Sequence, residues 1–229
     1  YFYALNPSKD AVLRKVAVRS YGPAAASSVL QAWETFSRAF KEFPYGVVAG
    51  YSIPTQHGPS NPLRLTATGY RAAMILFPYD DLQDWVGAYA PEVAQSQFEK
   101  MAGMWEAGLE DFRSALARVP PHQQHQARKD YGIAETCWIH FRSVANQIKF
   151  YRLREQLRAK LENAPAIRAR MEQIARAEIE LAKRLYAISR QDSTIGYEAT
   201  NHYYYRPLDL AEKVLNCDQV IRNLKATKG

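Results

Sequence analysis

The chain has 229 residues, of which 47% are hydrophobic and 23% charged, an ordinary globular composition that allows a sizeable core and shows no repeat or low-complexity segment. The net charge of +7 comes from 30 Lys and Arg against 23 Asp and Glu. Because basic and acidic residues alternate along every helical segment, this charge indicates solvated helix surfaces and disfavours nucleic-acid binding, and no apolar run reaches the length of a membrane span.

Helical signals begin near the N terminus. Ser8 is predicted to cap a first helix, and Gly22-Pro23 to end that helix and begin the next. The second helix is predicted over 24–42, because apolar residues recur there at steps of three and four before Pro44.

Helical periodicity disappears over 44–81, which is too long for an idle loop inside a compact domain. Pro and Gly residues set an irregular path that carries Tyr, His, Asn, Arg and Asp side chains. Two interpretations remain open: a binding loop, or a wrapper that packs its aromatic rings on the helices or on a missing domain. Residues 71–76 fit a short strand, although one strand makes no sheet.

Four further helices are predicted from apolar positions at helical spacing and from prolines at favoured first-turn positions. They cover 91–119, 122–163 with an interruption considered at Gly132, a segment that begins at Pro165 and a segment that begins at Pro207. The pattern predicts an all-α fold, an antiparallel bundle of about six helices with two long irregular aromatic-rich loops. We expect one helical domain over 1–229, with the irregular loop at 44–81 and a tyrosine-rich loop at 192–206.

Two cysteines and five histidines offer little chemistry. Cys137 and Cys217 fall at apolar helical positions, which favours buried thiols over a disulfide. His122 and His125 share a helical face but lack a third ligand at matching spacing, so neither a metal nor a cofactor is predicted.

Several carboxylates have structural interpretations. Glu178 lies on an apolar stripe, where a buried carboxylate needs a partner, and we expect an ion pair with one of the arginines. Asp80 or Asp81 is placed to cap a helix around 82–85, Asp192 to end its helix in a turn, and Glu198 to bond backbone amides.

The tyrosine-rich loop is the most distinctive stretch, since it has neither helix nor strand period and carries carboxylates, an amide, an imidazole and tyrosines. Sugar sites combine aromatic platforms with Asp, Glu, Asn, His and Arg, and both irregular loops carry that mixture. We therefore predict that the two loops converge on one face and form a glycan-binding cleft. The candidate substrate-binding residues are His57, Asn61, Arg71, Tyr79, Asp80, Asp81, Glu198, Asn201, His202, Tyr203 and Tyr204.

No catalytic residue is predicted. Glycoside hydrolysis needs two carboxyl groups about 5 to 10 Å apart, and Asp80 or Asp81 could in principle face Glu198 or Asp192, but no feature of the sequence places them so. The sequence contains no GxSxG, Walker A, GxGxxG after a strand or HExxH motif, which disfavours nucleophilic hydrolysis.

Four segments together resemble the C-terminal helical region of large bacterial proteins that carry, upstream, a glycoside-hydrolase-like barrel similar to the hexosaminidase and α-glucuronidase type. The segments are Tyr21-Gly22-Pro23-Ala24-Ala25, Gly58-Pro59-Ser60-Asn61-Pro62-Leu63, Phe77-Pro78-Tyr79-Asp80-Asp81-Leu82 and Asp192-Ser193-Thr194-Ile195-Gly196-Tyr197-Glu198-Ala199-Thr200-Asn201-His202-Tyr203-Tyr204-Tyr205. The resemblance covers nearly the whole chain. It implies carbohydrate processing in an extracellular or periplasmic setting.

The resemblance also implies a division of labour. In such enzymes the barrel bears the catalytic acid and base at the carboxyl ends of its strands, and this chain contains no barrel. Since the chain starts at Tyr1 without Met, we expect it to be the C-terminal part of a longer protein. Its expected function is that of an accessory helical domain whose loops at 58–61 and 197–204 wall a glycan cleft, with glycoside hydrolysis only when the barrel is joined.

The alternative function is a freestanding helical protein–protein interaction module. In that hypothesis the tyrosine-rich loop docks a protein partner, because Tyr and Arg are common anchor residues at interfaces. The two hypotheses differ in what the chemically distinctive surface binds, a carbohydrate or a protein.

Overall fold

The computed structural model describes residues 8–46, 58–70, 80–159, 163–198, 202–203 and 205–226, with the backbone alone at 84–85, 197–198 and 202–203. Its helices are α1 (Lys9–Tyr21), α2 (Pro23–Phe40), α3 (Leu82–Val86), α4 (Pro91–Leu116), α5 (Gln124–Arg158), α6 (Ala164–Gln191) and α7 (Pro207–Ala226). The predicted all-α class is confirmed.

Short elements occupy the connections. Two 3-10 helices cover Gly58–Ser60 and Pro121–Gln123. Strands β1 (Tyr197–Glu198) and β2 (His202–Tyr203) pair antiparallel inside the tyrosine-rich loop, with Tyr197 opposite Tyr203. This two-residue ladder is the regular structure that the sequence pattern of the loop did not predict.

The helix ends follow the local sequence signals. The Ser8 hydroxyl accepts a hydrogen bond from the Ala11 amide at 3.2 Å and caps α1, as predicted. Gly22, at φ +80°, ends α1, and Pro23 occupies the first turn of α2. Gly132 does not interrupt α5, which continues to Arg158.

Two compact units share the chain. The first contains Tyr1–Glu42 and Met101–Glu135, and the second contains Phe43–Lys100 and Thr136–Gly229. Helices α4 and α5 contribute residues to both units. The organisation of 1–229 as a single domain stays a prediction.

The first unit has an aromatic core. Phe36 of α2 stacks on Trp105 of α4, with ring centroids 4.4 Å apart. Gly108 permits this approach, because a Cβ at that position would lie 2.6 Å from the Phe36 ring. The Tyr21 hydroxyl donates to Asp130 at 2.7 Å. None of the residues predicted to bind substrate belongs to this unit.

The second unit is built around the C-terminal half of α5. Ile139, Val144, Ile148 and Phe150 are buried on different faces of the helix. The sequence predicted this helix from apolar positions at helical spacing, and the structure buries it on several sides. Helices α6 and α7 pack along each other, and their leucines join Ile139 in one apolar cluster.

The thiols are free, as predicted, with Cys217 buried and Cys137 partly buried. Burial raises the pKa of the Cys137 thiol to about 11 and that of Cys217 to about 12, so both remain protonated and unreactive near neutral pH. Among the residues with described structure, no helix combines the length and the apolar character that crossing a membrane requires.

Candidate functional site

A fully buried ion pair lies in the second unit. Lys213 of α7 and Glu178 of α6 are both 0% exposed, and their Nζ and Oε2 atoms are 2.9 Å apart. Ser143 donates to the same carboxylate at 2.7 Å and Asn146 at 2.8 Å. These bonds offset the cost of removing two charges from water. The prediction that Glu178 is paired was right, but the arginine partner was wrong, because α7 presents a lysine on its buried face.

Amide side chains extend this pair toward the irregular loop. Gln147 donates to the Gly58 carbonyl at 2.6 Å and accepts from the Asn61 side chain at 2.7 Å. The Lys213 ammonium donates to the Asn61 carbonyl. Asn61, Ser143, Gln147, Glu178 and Lys213 together form the interior cluster, and each is at most 1% exposed.

The hydrogen bonds of the interior cluster show the structural role of the 58–64 segment. Its polar groups bond side chains of α5 and α7 inside the unit, so this part of the irregular loop wraps the helices through hydrogen bonds, and not through the aromatic rings of the predicted wrapper. Asn61, which was predicted to bind substrate, is enclosed and 1% exposed. A segment rich in Gly and Pro suits this role, since its backbone must approach the helices closely.

The same segment meets the end of the tyrosine-rich loop at His140. Tyr205 hydrogen bonds to Nδ1 of the His140 ring. Gly58 approaches from the wrapper at φ +42°, and a Cβ there would lie 2.5 Å from the same nitrogen. The two irregular loops therefore come together at His140, through Gly58 and Tyr205.

An open cavity lies near the C-terminal end of α5. It has a volume of about 620 Å³ and is bounded by the 67–70 segment, α3, the start of α4 and the end of α5. Its charged and aromatic lining residues are Tyr70, Asp80, Asp81, Glu92, Arg152, Arg154, Glu155 and Arg158. We call this cavity the cleft. Its volume falls within the range of about 300–1,000 Å³ that small-molecule sites occupy.

Ion pairs shape the walls of the cleft. Arg152 lies 2.9 Å from Glu92, and Arg158 lies 2.6 Å from Glu155. Both pairs are open to solvent, with Glu92 and Arg158 each 63% exposed. The backbone amide of Glu92 and the Arg152 guanidinium hold the pKa of Glu92 below its usual range, so the carboxylate is charged at neutral pH.

A closed ion pair forms the floor. Asp80 is 2% exposed and is paired with Arg154, which also donates to the Asp80 carbonyl at 3.0 Å. Thr68 donates its backbone amide to the carboxylate at 3.1 Å. Burial raises the pKa of Asp80, but the hydrogen bonds from Thr68 and Arg154 outweigh burial and hold the pKa below the ordinary value. Asp80 thus ties the 67–70 segment to α5.

Two other acidic residues make local bonds. Asp81 accepts from the Gln83 amide at 3.1 Å at the start of α3, which confirms the predicted cap. Asp192 accepts from the Thr194 amide at 3.1 Å and ends α6 in a turn, as predicted.

Three of the predicted site residues have described side chains, and they lie in two places. His140 and Arg154 lie about 21 Å apart along α5, at a rise of about 1.5 Å per residue. Asp80 and Asp81 line the cleft near Arg154, whereas Asn61 lies inside the unit and Tyr205 lies at His140. Of the predicted site residues with described side chains, Asn61 therefore lies apart from Asp80 and Asp81. The convergence of the two loops on one glycan cleft stays a prediction.

The other predicted site residues have no described side chains. Three of them lie in the two strands, Glu198 in β1 and His202 and Tyr203 in β2. The rest lie outside the described residues, namely His57, Arg71, Tyr79, Asn201 and Tyr204. The short strand considered at 71–76 lies outside them as well.

Sequence reasoning missed Tyr70, Glu92, Arg152, Arg158 and Glu155 as cleft residues. The arginines and Glu155 were treated as ordinary solvated helix surface. A usable signal was the density of charged residues, since Arg152, Glu155 and Arg158 all fall in the last two turns of α5. Glu92 follows the helix-starting Pro91, a position that looks like a routine first-turn acid.

Among the described residues, no group of three or more His, Cys, Asp or Glu is arranged to hold a metal ion. Comparisons of the chain with protein families, with curated proteins and with solved structures found no match.

Proposed function

We propose that this chain is a helical accessory domain of a carbohydrate-active protein, and that its cleft binds a carbohydrate. The observation that carries the proposal is an open cavity of about 620 Å³ in which an aromatic ring lies beside exposed guanidinium and carboxylate groups. Tyr70 is 65% exposed at its rim. An aromatic platform next to charged hydrogen-bonding groups is the combination that a sugar ring requires.

The cleft offers groups that match both the apolar C–H face and the hydroxyl groups of a sugar. The apolar C–H face of a sugar ring packs on an aromatic side chain, as supplied by Tyr70. Guanidinium groups only donate hydrogen bonds and carboxylates only accept them, so Arg152 and Glu92 together engage both functions of a hydroxyl. Bonds to ionised groups are the stronger kind, which favours a ligand with many hydroxyls.

Rigid anchoring supports the same proposal. The floor pair between Asp80 and Arg154 connects the 67–70 segment to the end of α5, and Asp81 caps the start of α3. Three boundaries of the cleft are therefore held before a ligand arrives. A pre-organised site loses less conformational entropy on binding than a mobile one.

The proposal assigns binding to this domain and catalysis to another. The resemblance to the helical region downstream of a glycoside-hydrolase-like barrel supports such a partner, which would supply the acid and base. An extracellular or periplasmic setting belongs to the same proposal. The helical domain would contribute a sugar-binding surface to the assembled enzyme.

The test is a calorimetric titration of the chain with a panel of mono- and oligosaccharides, repeated with Tyr70→Ala. Loss of a stacking platform should weaken binding about tenfold, which corresponds to about 1.4 kcal/mol. Tyr45→Ala is the matched control, because Tyr45 is 69% exposed and does not line the cleft. An absence of heat with every saccharide, both for the chain and for a longer protein that contains it, would reject the proposal.

A second candidate function, the interaction module, is favoured by an apolar groove between α6 and α7. The groove has a volume of about 470 Å³ and is lined by Lys183, Tyr186, Leu210, Ala211, Val214 and Leu215. Leu215, which lines the groove, is 71% exposed, and Leu208 of the same helix is 76% exposed. Leu208, Ala211 and Leu215 repeat at helical spacing and give α7 a second apolar stripe on its outward side.

This surface contains both a groove and projecting leucines, so it is complementary to a second copy of itself. Two-fold contact between α7 helices would place the leucines of one copy in the groove of the other. Sedimentation across a concentration series should then show a dimer that Leu215→Glu converts to monomer. A wild-type chain that stays monomeric throughout would remove this candidate.

A further inference from the structure

We infer that the cleft selects neutral saccharides over saccharides that carry a carboxylate, sulfate or phosphate group. The inference rests on the proposed carbohydrate binding and specifies the ligand class of the same site. It is carried by the way in which the charged side chains of the cleft are paired with one another.

Each described guanidinium group that lines the cleft is matched by a carboxylate that lines it too. The pairs are Arg152–Glu92 at 2.9 Å, Arg154–Asp80, and Arg158–Glu155 at 2.6 Å. Asp81 also lines the cavity. Among the lining residues that the structure describes, three guanidinium groups and four carboxylates give a formal charge of −1.

This charge balance disfavours an ionised ligand. A ligand carboxylate or phosphate gains no net attraction from a lining of −1, and it must either displace Glu92 from Arg152 or lie beside a like charge. A ligand ammonium group meets the converse difficulty, because every paired carboxylate already has a guanidinium at its side. A charged ligand that breaks one of these ion pairs gains little free energy, because the side chain it displaces stays nearby in the same cavity.

A neutral hydroxyl avoids these costs. A guanidinium has five N–H donors and a carboxylate about four acceptor positions. A single ion pair uses only a part of this capacity, so a hydroxyl can accept from the arginine and donate to the carboxylate without separating them. Saccharide hydroxyls placed along the wall would thus bridge the existing pairs.

The exposure of the arginines separates the ion pairs that a ligand can contact from the ion pair that only positions the floor of the cleft. Arg152 and Arg158 are 27% and 63% exposed, whereas Arg154 is 5% exposed. The two open pairs are therefore the contacts for hydroxyls. The closed pair of Arg154 with Asp80 positions the floor and does not reach a ligand.

The first experiment titrates the chain with neutral oligosaccharides and with uronic-acid oligosaccharides of equal length, at low and high salt. Neutral ligands should bind with a Kd that changes by less than about twofold over this salt range, because no net ion pair forms. Acidic ligands should bind at least about tenfold more weakly, about 1.4 kcal/mol.

Two other outcomes separate the inference from the proposed function. Acidic oligosaccharides that bind as tightly as neutral ones, with affinity falling as salt rises, would overturn the inference and leave carbohydrate binding intact. If no saccharide of either class binds, carbohydrate binding itself fails.

The second experiment compares Glu92→Gln with Glu110→Gln. Both carboxylates are 63% exposed and paired with an arginine, but Glu110 does not line the cleft. Glu92→Gln should raise the Kd of a neutral ligand about tenfold, as expected for one lost charge-assisted hydrogen bond. It should also reduce the ratio between the Kd values of acidic and neutral ligands. Glu110→Gln should change neither. Equal effects of the two substitutions would contradict the assignment.

Discussion

The interior cluster and the cleft use the same chemical groups for different purposes. Both pair a basic side chain with a glutamate, and both involve polar side chains of α5. The Lys213–Glu178 pair is fully closed to solvent, whereas Glu92 of the Arg152–Glu92 pair is 63% exposed. Access of solvent, and not the identity of the residues, separates a structural pair from a surface able to bind a ligand.

Physical chemistry explains why the two pairs differ in consequence. A buried pair is held by mutual attraction that offsets a large desolvation cost, so removal of one partner leaves an uncompensated charge in the interior. An exposed pair exchanges easily with water and contributes little to folding. The interior cluster should therefore govern stability, and the cleft should govern binding.

The largest expected loss of stability follows from substitution of Lys213. Lys213→Met keeps the apolar stem but leaves Glu178 without its cation, and we expect a loss of about 3–5 kcal/mol in the free energy of unfolding. Chemical denaturation measures this loss. Arg152→Met is the matched control in the open pair and should leave the unfolding midpoint nearly unchanged.

A double variant sharpens the result. Lys213→Met combined with Glu178→Leu removes both charges, so it should be less destabilised than the sum of the single changes. A loss for Lys213→Met no greater than that for Arg152→Met would contradict the contrast between the closed and open pairs.

An intermediate effect is expected at Gly58. Gly58→Ala should cost about 2–4 kcal/mol, since it combines a left-handed backbone with a clash against the His140 ring, which Tyr205 holds in place. Thermal unfolding measures this cost. Gly69→Ala in the cleft is the control, because Gly69 has φ +76° but no atom of the described residues lies within 4 Å of an added Cβ. Equal losses of stability for the two substitutions would show that Gly58 is not in close contact with the His140 ring.

The smallest effect concerns Asp80 and pH. Because the folded-state pKa of Asp80 is lowered, its contribution to stability is fully present above the unfolded carboxyl pKa of about 4 and is lost as the pH falls through the folded-state pKa. Asp80→Asn should cost about 1–3 kcal/mol at neutral pH, less than the loss at Lys213, because Arg154 keeps a second carboxylate partner in Glu155 at 3.1 Å. The difference between wild type and variant should shrink below about pH 4, as measured by denaturation over a pH series. A difference that stays constant down to acid pH would refute this role.

Local signals in the sequence predicted the helices well. Ser8, Gly22-Pro23, Pro91 and Pro207 act within one turn of the backbone, so their effects do not depend on the rest of the fold. Gly132 was the exception, because a continuous α5 is stabilised by packing that outweighs the weak helix propensity of one glycine. Asp81 and Asp192 were likewise predictable, since each bonds a backbone amide two residues away.

The candidate site was predictable only in part. Two predicted residues, Asp80 and Asp81, line the cleft, but the residues that open to solvent around it were taken for ordinary surface. Asn61 was expected in a binding loop and lies in the interior cluster instead. Residue type in an irregular segment indicates chemical capacity, and it does not indicate which side of the backbone meets solvent.

By itself, the sequence determined the all-α class, the helix starts and the need of Glu178 for a partner, because these follow from hydrogen bonds within a turn and from the cost of burying a charge. Tertiary structure alone decided that Lys213 is that partner, that Asn61 is enclosed and that Arg152 and Glu92 face an open cavity. These features depend on the packing of segments that are far apart along the chain, and residue order contains no direct measure of such distances.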